Sequence, residues 1–308
     1  MASSSSPPSS SSSSTSFDAE QYKIAQRQTW DSSALGWQRW WQVIEKGAQK
    51  ISNRLIELAE IRPGQQVLDI ATGIGEPSLT AAAKLIGTNG GGGGHVLAID
   101  ISSQMLAIAK ERAVSLGLQD IIEFRESDIE ALELPSSSFD AILCRWGLMF
   151  LPNLDSTLNH IFSALINGGK FAAAVWSMPS KVPFLSFPMN IVMKQLQIPQ
   201  PASGVPGPFS LADNNNSILE GSLSKAGFRN IHIERQNVTF EFASVKDYIN
   251  HIQDVAGAIK IILNKESANR QEEVWKVISE ELSASNYTKD NGSVRMDNEC
   301  ICVVGTRV

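Results

Sequence analysis

The chain has 308 residues, of which 43% are hydrophobic, and these values predict one main globular domain with additions. Its formal net charge of −6 argues against a nucleic-acid partner, because proteins that bind a phosphate backbone concentrate Lys and Arg on one face. The three cysteines lack the spacing of a metal cluster or of a disulfide framework, so neither is predicted.

Residues 1–16 are almost all serine and proline. Such a segment cannot bury apolar surface, so we predict a disordered tail. A serine-rich start without acids also occurs in plastid transit peptides, but this one is short and has no arginine before Arg27. We therefore predict a cytoplasmic protein, with the plastid as the alternative. No run of about 18 apolar residues is present, so no membrane-spanning helix is expected.

A helical cap is predicted for residues 17–60. Its first part is rich in tryptophan, with Trp30, Trp37, Trp40 and Trp41 close together. Large aromatic side chains at this spacing most often pack in a core. Core packing is therefore the first interpretation of these tryptophans.

A glycine turn between two apolar strands is the most informative pattern of the chain. Residues 67–70 predict a buried strand, Gly73 and Gly75 follow it, and a second strand ends in Asp100. Glycine allows a sharp turn and a close approach of the backbone to a ligand. A carboxylate at the end of the second strand is placed to accept hydrogen bonds from ribose hydroxyls. The pattern predicts a site for a nucleoside cofactor.

The charged residues beside this turn indicate which of two kinds of nucleoside cofactor fits the site. Asp69 and Glu76 flank the turn, and Ser78 stands where a dinucleotide-binding fingerprint has its third glycine. A pyrophosphate would meet two carboxylates here, whereas the ammonium and sulfonium groups of S-adenosylmethionine are attracted to them. The sequence therefore favours S-adenosylmethionine over NAD.

Two more strands are predicted at residues 121–126 and 139–144, and Asp128 follows the first of them, in place to bond an adenine amine. The motifs V-L-D-I-A-T-G-I-G, A-I-D-I-S-S-Q-M-L, S-D-I-E-A-L-E-L-P-S-S-S-F-D and L-I-N-G-G-K-F-A-A-A-V-W follow one another within residues 61–176. With them the chain resembles the class I S-adenosylmethionine-dependent methyltransferases, and within that class the ubiquinone/menaquinone-biosynthesis-like branch of small-molecule enzymes. One residue departs from the family pattern, since Ala71 stands where the family usually has a glycine.

The resemblance implies an α/β fold of Rossmann-like type. Its seven-stranded, mostly parallel sheet would carry helices on both faces, with an N-terminal helical cap and a helical insertion before the last strand. We expect a core at residues 61–177, a substrate-side lid at 178–210, and the remainder of the core at 211–308 with the insertion at 244–285.

The resemblance also implies which residues contact the ligands. The implied cofactor contacts are Asp69, Thr72, Gly73, Gly75, Asp100, Ile101, Met105, Asp128, Ile129 and Arg145. Weaker candidates for the substrate are Trp30, Trp37, Trp146 and Met149. For Trp146, a ring face near the sulfonium and packing in the core are both open interpretations.

Two weak catalytic candidates lie in the helical insertion. Tyr248 and His251 are three residues apart, so they share a helix face and are placed to accept a proton in a chamber. A solvated helix face is the alternative interpretation.

The predicted function is direct, in-line methyl transfer from S-adenosylmethionine to a nitrogen, oxygen or carbon atom of a small molecule. Alignment and exclusion of water supply most of the catalysis in such a reaction, so a base is optional and no metal is predicted. The expected partner is the methyl acceptor, without nucleic acid and without integral membrane contact. Two alternatives remain, a non-catalytic S-adenosylmethionine-binding module and an NAD-dependent oxidoreductase.

Overall fold

The computed structural model describes residues 17–87, 93–199 and 205–308. These residues form a seven-stranded sheet with helices packed around it. The strands are β1 (Gln66–Ile70), β2 (His95–Asp100), β3 (Ile122–Glu126), β4 (Phe139–Arg145), β5 (Leu165–Trp176), β6 (Arg229–Phe242) and β7 (Val294–Thr306). Their order is β3-β2-β1-β4-β5-β7-β6, and β7 runs antiparallel to both of its neighbours. The predicted fold class is confirmed. The predicted tail at residues 1–16 lies outside the described residues.

Helices connect most of the strands, and a long helix precedes the first strand. Within the described residues they are α1 (Ala19–Leu58), α2 (Ser78–Ile86), α3 (Ser103–Ser115), α4 (Leu154–Ala164), α5 (Pro183–Leu196), α6 (Ser217–Lys225), α7 (Val245–Val255), α8 (Gly257–Leu263) and α9 (Ala268–Ser283). The helical insertion before the last strand is formed by α7, α8 and α9. None of the described helices is both long and apolar enough to cross a lipid bilayer.

The central strands bring the glycine turn and the ribose acid together. β1, β2 and β4 pair in parallel and are almost entirely buried, as expected for strands covered on both faces. Ile70 at the end of β1 pairs with Ile99 in β2, so the turn after Ile70 lies beside Asp100. The carboxyl ends of these strands form the edge at which open α/β sheets bind ligands.

The N-terminal cap is one continuous helix of 40 residues. The carboxylate of Asp18 caps it by accepting hydrogen bonds from the backbone N–H groups of Glu20 and Gln21. Its far end lies against β6, where a Cβ on Gly47 would come within 2.1 Å of the Thr239 carbonyl oxygen. Only glycine permits this close approach of helix and strand.

The predicted lid contains α5, which packs against β6 and β7. Phe184 lies 4.3 Å from Phe240 between ring centroids, and its N–H donates to the buried Asn298 side chain. The segment after α5 instead returns towards β4, where the N–H of Gly207 donates to the Met149 carbonyl. Part of the predicted lid, residues 200–204, lies outside the described residues.

Candidate active site

A cavity of about 180 Å³ lies beneath α1 at the carboxyl ends of the central strands. Its walls come from the turn after β1, from the ends of β2, β3 and β4, and from the inner face of α1. The predicted residues that line it are Trp30, Trp37, Thr72, Gly73, Asp100, Ile101, Met105, Asp128, Ile129, Arg145 and Trp146. Asp69, Gly75, Met149, Tyr248 and His251 are absent from its walls.

Asp100 and the glycine turn are directly bonded to each other. One carboxylate oxygen of Asp100 accepts from the N–H of Gly73 at 2.8 Å, and the other accepts from the N–H of Ser102 at 2.9 Å. Gly73 has a φ of 55°, which favours glycine. Burial raises the pKa of Asp100 to about 6, although both backbone N–H groups favour the charged form. The remaining lone pairs of this carboxylate are available to ribose hydroxyls.

Asp69 supports the turn from behind and does not face the cavity. Its Oδ2 accepts from the Ser78 N–H at 3.0 Å and from the Ser78 hydroxyl at 2.6 Å, while its Oδ1 is buried without a partner. The Ser78 hydroxyl also lies 2.9 Å from that of Thr72. We therefore reassign Asp69 from cofactor contact to support of the turn. Sequence spacing places its carboxylate near the turn but does not show which side it faces.

Gly75 also has a packing role in place of the predicted cofactor contact. Its φ is 109°, and a Cβ there would lie 3.0 Å from the Leu79 side chain. The neighbouring Ala71 takes a φ of 57°, the left-handed region in which a glycine is unstrained. Gly147 makes room for the Ala71 methyl group, since a Cβ on Gly147 would come within 2.6 Å of it. The departure from the family pattern is thus accommodated by a glycine across the turn.

A buried charge cluster forms one wall of the cavity. Arg145 makes two hydrogen bonds to Glu45 of α1, at 2.6 and 2.9 Å, and a third to Ser52. Glu76 accepts from the Thr80 hydroxyl at 2.6 Å, and its other oxygen lies 3.8 Å from Arg112. Burial raises the pKa of Glu76 and lowers that of Arg112. The predicted cofactor residue Arg145 therefore lines the cavity while three of its five N–H donors bond Glu45 and Ser52.

More acids than bases line the cavity. Among the described residues on its walls, the acids are Glu45, Glu76, Asp100 and Asp128, and the bases are Lys23 and Arg145. A buried surplus of negative charge is costly unless a cation offsets it. S-adenosylmethionine carries an ammonium, a sulfonium and a carboxylate, hence one net positive charge. The charge of the cavity walls fits this cofactor and opposes a pyrophosphate.

Asp128 is held by a lysine that sequence reasoning missed. Lys23 of α1 lies 2.9 Å from Asp128 and 2.8 Å from Glu20, and these acids help raise its pKa. The other oxygen of Asp128 accepts from the N–H of Glu130 at 2.9 Å. Glu45 of α1 was missed in the same way, because neither residue belongs to a motif. Lys23 and Glu45 share one property, which is that each contacts a residue at the end of a strand far away in the sequence.

Aromatic side chains of α1 and of the segment after β4 also line the cavity. Trp30 packs edge-on against Phe150 at 5.6 Å and lies 6.5 Å from Trp37. Trp146 lines the cavity, and its ring stacks on Trp176 at 4.4 Å and lies 5.0 Å from the guanidinium of Arg145. Packing of this ring is thus shown, and its contact with the sulfonium stays a prediction. Met149 is buried and offers only its backbone carbonyl, which accepts from the Ser210 hydroxyl at 2.7 Å. The structure therefore gives Met149 a packing role.

Tyr248 and His251 share a helix face, as predicted, but that face is neither solvated nor part of the cavity. The Tyr248 hydroxyl donates to the Phe184 carbonyl at 3.1 Å. The His251 ring lies among Trp40, Phe184 and Phe242, and burial lowers its pKa to about 3. The catalytic assignment of this pair is corrected, because α7 turns the shared face into the aromatic core against β6.

Comparison with known proteins agrees with this geometry. A family model described as a methyltransferase domain matches residues 61–197. This part of the chain is a class I S-adenosylmethionine-dependent methyltransferase domain. S-adenosylmethionine is the cofactor of this family. The methyltransferase domain supplies the turn, Asp100, Asp128 and Arg145, whereas α1 lies outside the matched residues.

Curated relatives resemble the methyltransferase domain over part of their length. An uncharacterized protein of Mycobacterium tuberculosis is 34% identical over 123 residues, which are 40% of this chain and 41% of that protein. The ubiquinone/menaquinone biosynthesis C-methyltransferase UbiE of Brucella anthropi is 34% identical over 116 residues, 38% of this chain and 42% of that protein. The chain thus spans about two fifths of the length of these relatives.

A solved structure shows the same fold over more of the chain. Phosphoethanolamine N-methyltransferase 2 of Haemonchus contortus, in complex with phosphomonomethylethanolamine and S-adenosylhomocysteine, superposes with a TM-score of 0.55. The superposition covers 93% of this chain and 60% of that one at 18% identity. At this identity the likeness concerns the fold alone.

Proposed function

We propose that the whole chain is an enzyme that transfers the methyl group of S-adenosylmethionine to a small-molecule acceptor by direct, in-line displacement. The observation that carries this proposal is the hydrogen bond between Gly73 and Asp100 in a cavity that is lined by more acids than bases. The hydrogen-bonded pair suits a ribose, and the surplus of acids suits a ligand with a sulfonium group. The net charge of −6 and the position of the cavity beneath α1 support a small acceptor over a nucleic acid.

Different residues of the cavity are assigned to different parts of the cofactor. Asp100 is assigned to the ribose hydroxyls, and Asp128 with the apolar Ile101, Met105 and Ile129 to the adenine. Trp146 offers a ring face to the sulfonium, an attraction worth about 0.5–2 kcal/mol. Thr72 and Gly73 supply the backbone surface along which the ligand lies.

Alignment and exclusion of water are the catalytic contributions of this chain. When bound, S-adenosylmethionine supplies an electrophilic methyl group and a neutral thioether leaving group. The aromatic side chains of α1 and the segment after β4 keep water from the acceptor, and the rigid turn fixes its approach. A phenol or a carbon acid needs a proton acceptor in the cavity, whereas a free amine does not. The acceptor atom stays open among nitrogen, oxygen and carbon, and the cytoplasm or plastid as compartment stays a prediction.

Calorimetric titration with S-adenosylmethionine, S-adenosylhomocysteine and NADH tests the cofactor without knowledge of the acceptor. We expect micromolar binding of the first two and none of NADH. Binding of NADH alone would overturn the proposal in favour of an oxidoreductase. Transfer of a labelled methyl group to members of an acceptor library then separates an enzyme from a non-catalytic binding module.

Substitution of the ribose acid is the first mutational test. Asp100→Ala should weaken S-adenosylhomocysteine binding at least tenfold, because a hydrogen bond to a charged group contributes about 1.5–3 kcal/mol. Asp120→Ala, which removes an exposed carboxylate far from the cavity walls, is the matched control and should bind as the wild type. Equal affinity of Asp100→Ala and the wild type would contradict the ribose assignment.

A further inference from the structure

Trp146 has a backbone conformation that bulky residues rarely adopt. Its φ is 60°, in the left-handed region. Its N–H nevertheless donates to the Ala174 carbonyl at 2.8 Å, so it continues the pairing of β4 with β5. Strain of this kind persists only where the surrounding structure fixes the residue, and it is concentrated at functional sites. Trp146 lines the cavity and is half-buried, so the contacts that hold its ring also affect a ligand in the cavity.

Two residues from the neighbouring strands hold the ring of Trp146. Trp176 at the end of β5 stacks on it at 4.4 Å, with an angle of 12° between the ring planes. The Cys300 sulfur of β7 accepts a hydrogen bond from the indole Nε1 at 3.4 Å. Trp176 and Cys300 are paired across β5 and β7, and residues opposite each other in a sheet share a face. The stack and the hydrogen bond therefore come from one position of the sheet.

The hydrogen bond to Cys300 determines how the ring is turned. The outer torsion of a tryptophan side chain has broad, roughly twofold preferences, so the backbone alone does not fix the ring. The indole has a single donor, and turning the ring over would take this donor away from the sulfur. Cys300 is fully buried, and neither it nor Trp176 lines the cavity. Both residues can therefore act on a ligand only through Trp146.

We infer that Cys300 is a positioning residue of the proposed methyl transfer, because its thiol fixes the orientation in which Trp146 faces the sulfonium of S-adenosylmethionine. A cation is attracted to the face of an indole ring within about 6 Å of the ring centre, so the attraction depends on how the ring is turned. The inference rests on the proposed function. It adds a contribution of β7, which lies outside residues 61–197, to the recognition of the reactive sulfur.

Arg145 places a second cation near the same ring. Its guanidinium lies 5.0 Å from the ring centre of Trp146. The charge of Arg145 is paired with Glu45 at 2.6 Å, and this pairing reduces the repulsion that Arg145 exerts on a sulfonium. The presence of Arg145 is therefore compatible with the proposed contact.

Calorimetric titration with S-adenosylmethionine and S-adenosylhomocysteine tests the inference, because only the first ligand carries a positively charged sulfur. The measured quantity is the preference, defined as the ratio of the affinity for S-adenosylmethionine to that for S-adenosylhomocysteine. Cys300→Ala should lower the preference about threefold and change the affinity for S-adenosylhomocysteine less than about twofold. Trp146→Leu should lower the preference by about threefold or more, because it lacks an aromatic ring.

A double-mutant cycle tests whether Cys300 acts through the indole N–H. Trp146→Phe keeps an aromatic ring but has no N–H to donate. In this background Cys300→Ala should not lower the preference further, because the interaction that it removes is already absent. Cys300→Ser keeps a hydrogen-bond acceptor and should retain most of the wild-type preference.

Cys302→Ala is the matched control. Cys302 is also a fully buried thiol of β7, but it is paired with Ala174 of β5, and the Trp146 indole donates to Cys300. This variant should have the wild-type preference. Melting temperatures show whether each variant is folded. Cys300→Val, which has no acceptor but fills more space than alanine, takes the place of Cys300→Ala if the latter does not fold.

Four results would overturn the inference. An unchanged preference in Cys300→Ala would show that the thiol does not position the ring. An equal loss of affinity for both ligands in this variant would assign Cys300 to packing alone. A further loss of preference in the Trp146→Phe background would show that Cys300 acts by another route. An unchanged preference in Trp146→Leu would show that the ring does not meet the sulfonium. Failure of the wild type to bind either ligand is a different result, because it would remove the proposed function itself.

Discussion

At the scale of single residues, Asp69 is a carboxylate with one oxygen bonded to Ser78 and the other unpaired and fully buried. Burial raises its pKa to about 7 from an ordinary value of 3.8. A carboxyl group whose pKa is raised by folding stabilises the protein below its unfolded pKa, and this contribution is lost as the pH rises through its folded pKa. The ligand-free protein therefore loses part of its stability between pH 4 and 7 through Asp69.

Asp69→Asn should remove this pH dependence, because an amide retains the oxygen that accepts from Ser78 but does not titrate. The difference in free energy of unfolding between Asp69→Asn and the wild type should shift in favour of the variant from pH 4 to pH 8. Urea unfolding at several pH values measures it. Asp120→Asn, an exposed control, should show no such trend. A constant difference for Asp69→Asn would mean that Asp69 is charged throughout this range.

At the scale of elements, the joint between α1 and β4 consists of a buried ion pair. Arg145 faces Glu45 at 2.6 Å, with Glu76 and Asp69 near enough to favour its charged form. Loss of Arg145 leaves Glu45 and Glu76 facing only Arg112. Loss of the Glu45 charge instead leaves Arg145 with Glu76 and Asp69 still near it. Loss of Arg145 should therefore destabilise the contact between α1 and β4 more than loss of the Glu45 charge.

Arg145→Met should lower the free energy of unfolding by about 3–5 kcal/mol, the usual cost of an uncompensated buried charge. Glu45→Gln should cost less, because the amide still accepts from Arg145, and Glu76 and Asp69 still favour the charged form of Arg145. Urea unfolding at pH 7 gives both values. Lys46→Met, which breaks the exposed pair with Glu241 between α1 and β6, should change stability far less. A larger loss of unfolding free energy for Glu45→Gln than for Arg145→Met would contradict this assignment of charges.

At the scale of the whole molecule, α1 spans the cavity and joins distant parts of the sheet. Near its start Lys23 contacts Asp128 after β3, and near its end Arg54 pairs with Glu234 of β6 at 2.7 Å. Trp30, Trp37 and Trp41 of the same helix line the cavity between these contacts. Ligand binding should therefore stabilise residues well outside the methyltransferase domain.

S-adenosylhomocysteine at about one hundred times its Kd should add about 2.7 kcal/mol to the free energy of unfolding. In hydrogen exchange, the ligand should slow exchange along α1 as much as in the turn after β1. The helix α9, which lines no part of the cavity, is the internal control. Slower exchange confined to residues 61–197 would show that α1 does not close over the ligand.

The sequence by itself determined the class of the methyltransferase domain, the mostly parallel sheet and the pair of Gly73 and Asp100. These features depend on local properties, namely the conformational freedom of glycine, buried apolar strands and a carboxylate at a strand end. Only the tertiary structure decided which way side chains of correct spacing face. It turned Asp69 away from the cavity and Tyr248 and His251 into the core, and it brought Glu45 and Lys23 into the site. The physical reason is that a helix or strand pattern defines a face, whereas the partner of that face is set by packing between residues far apart in the chain.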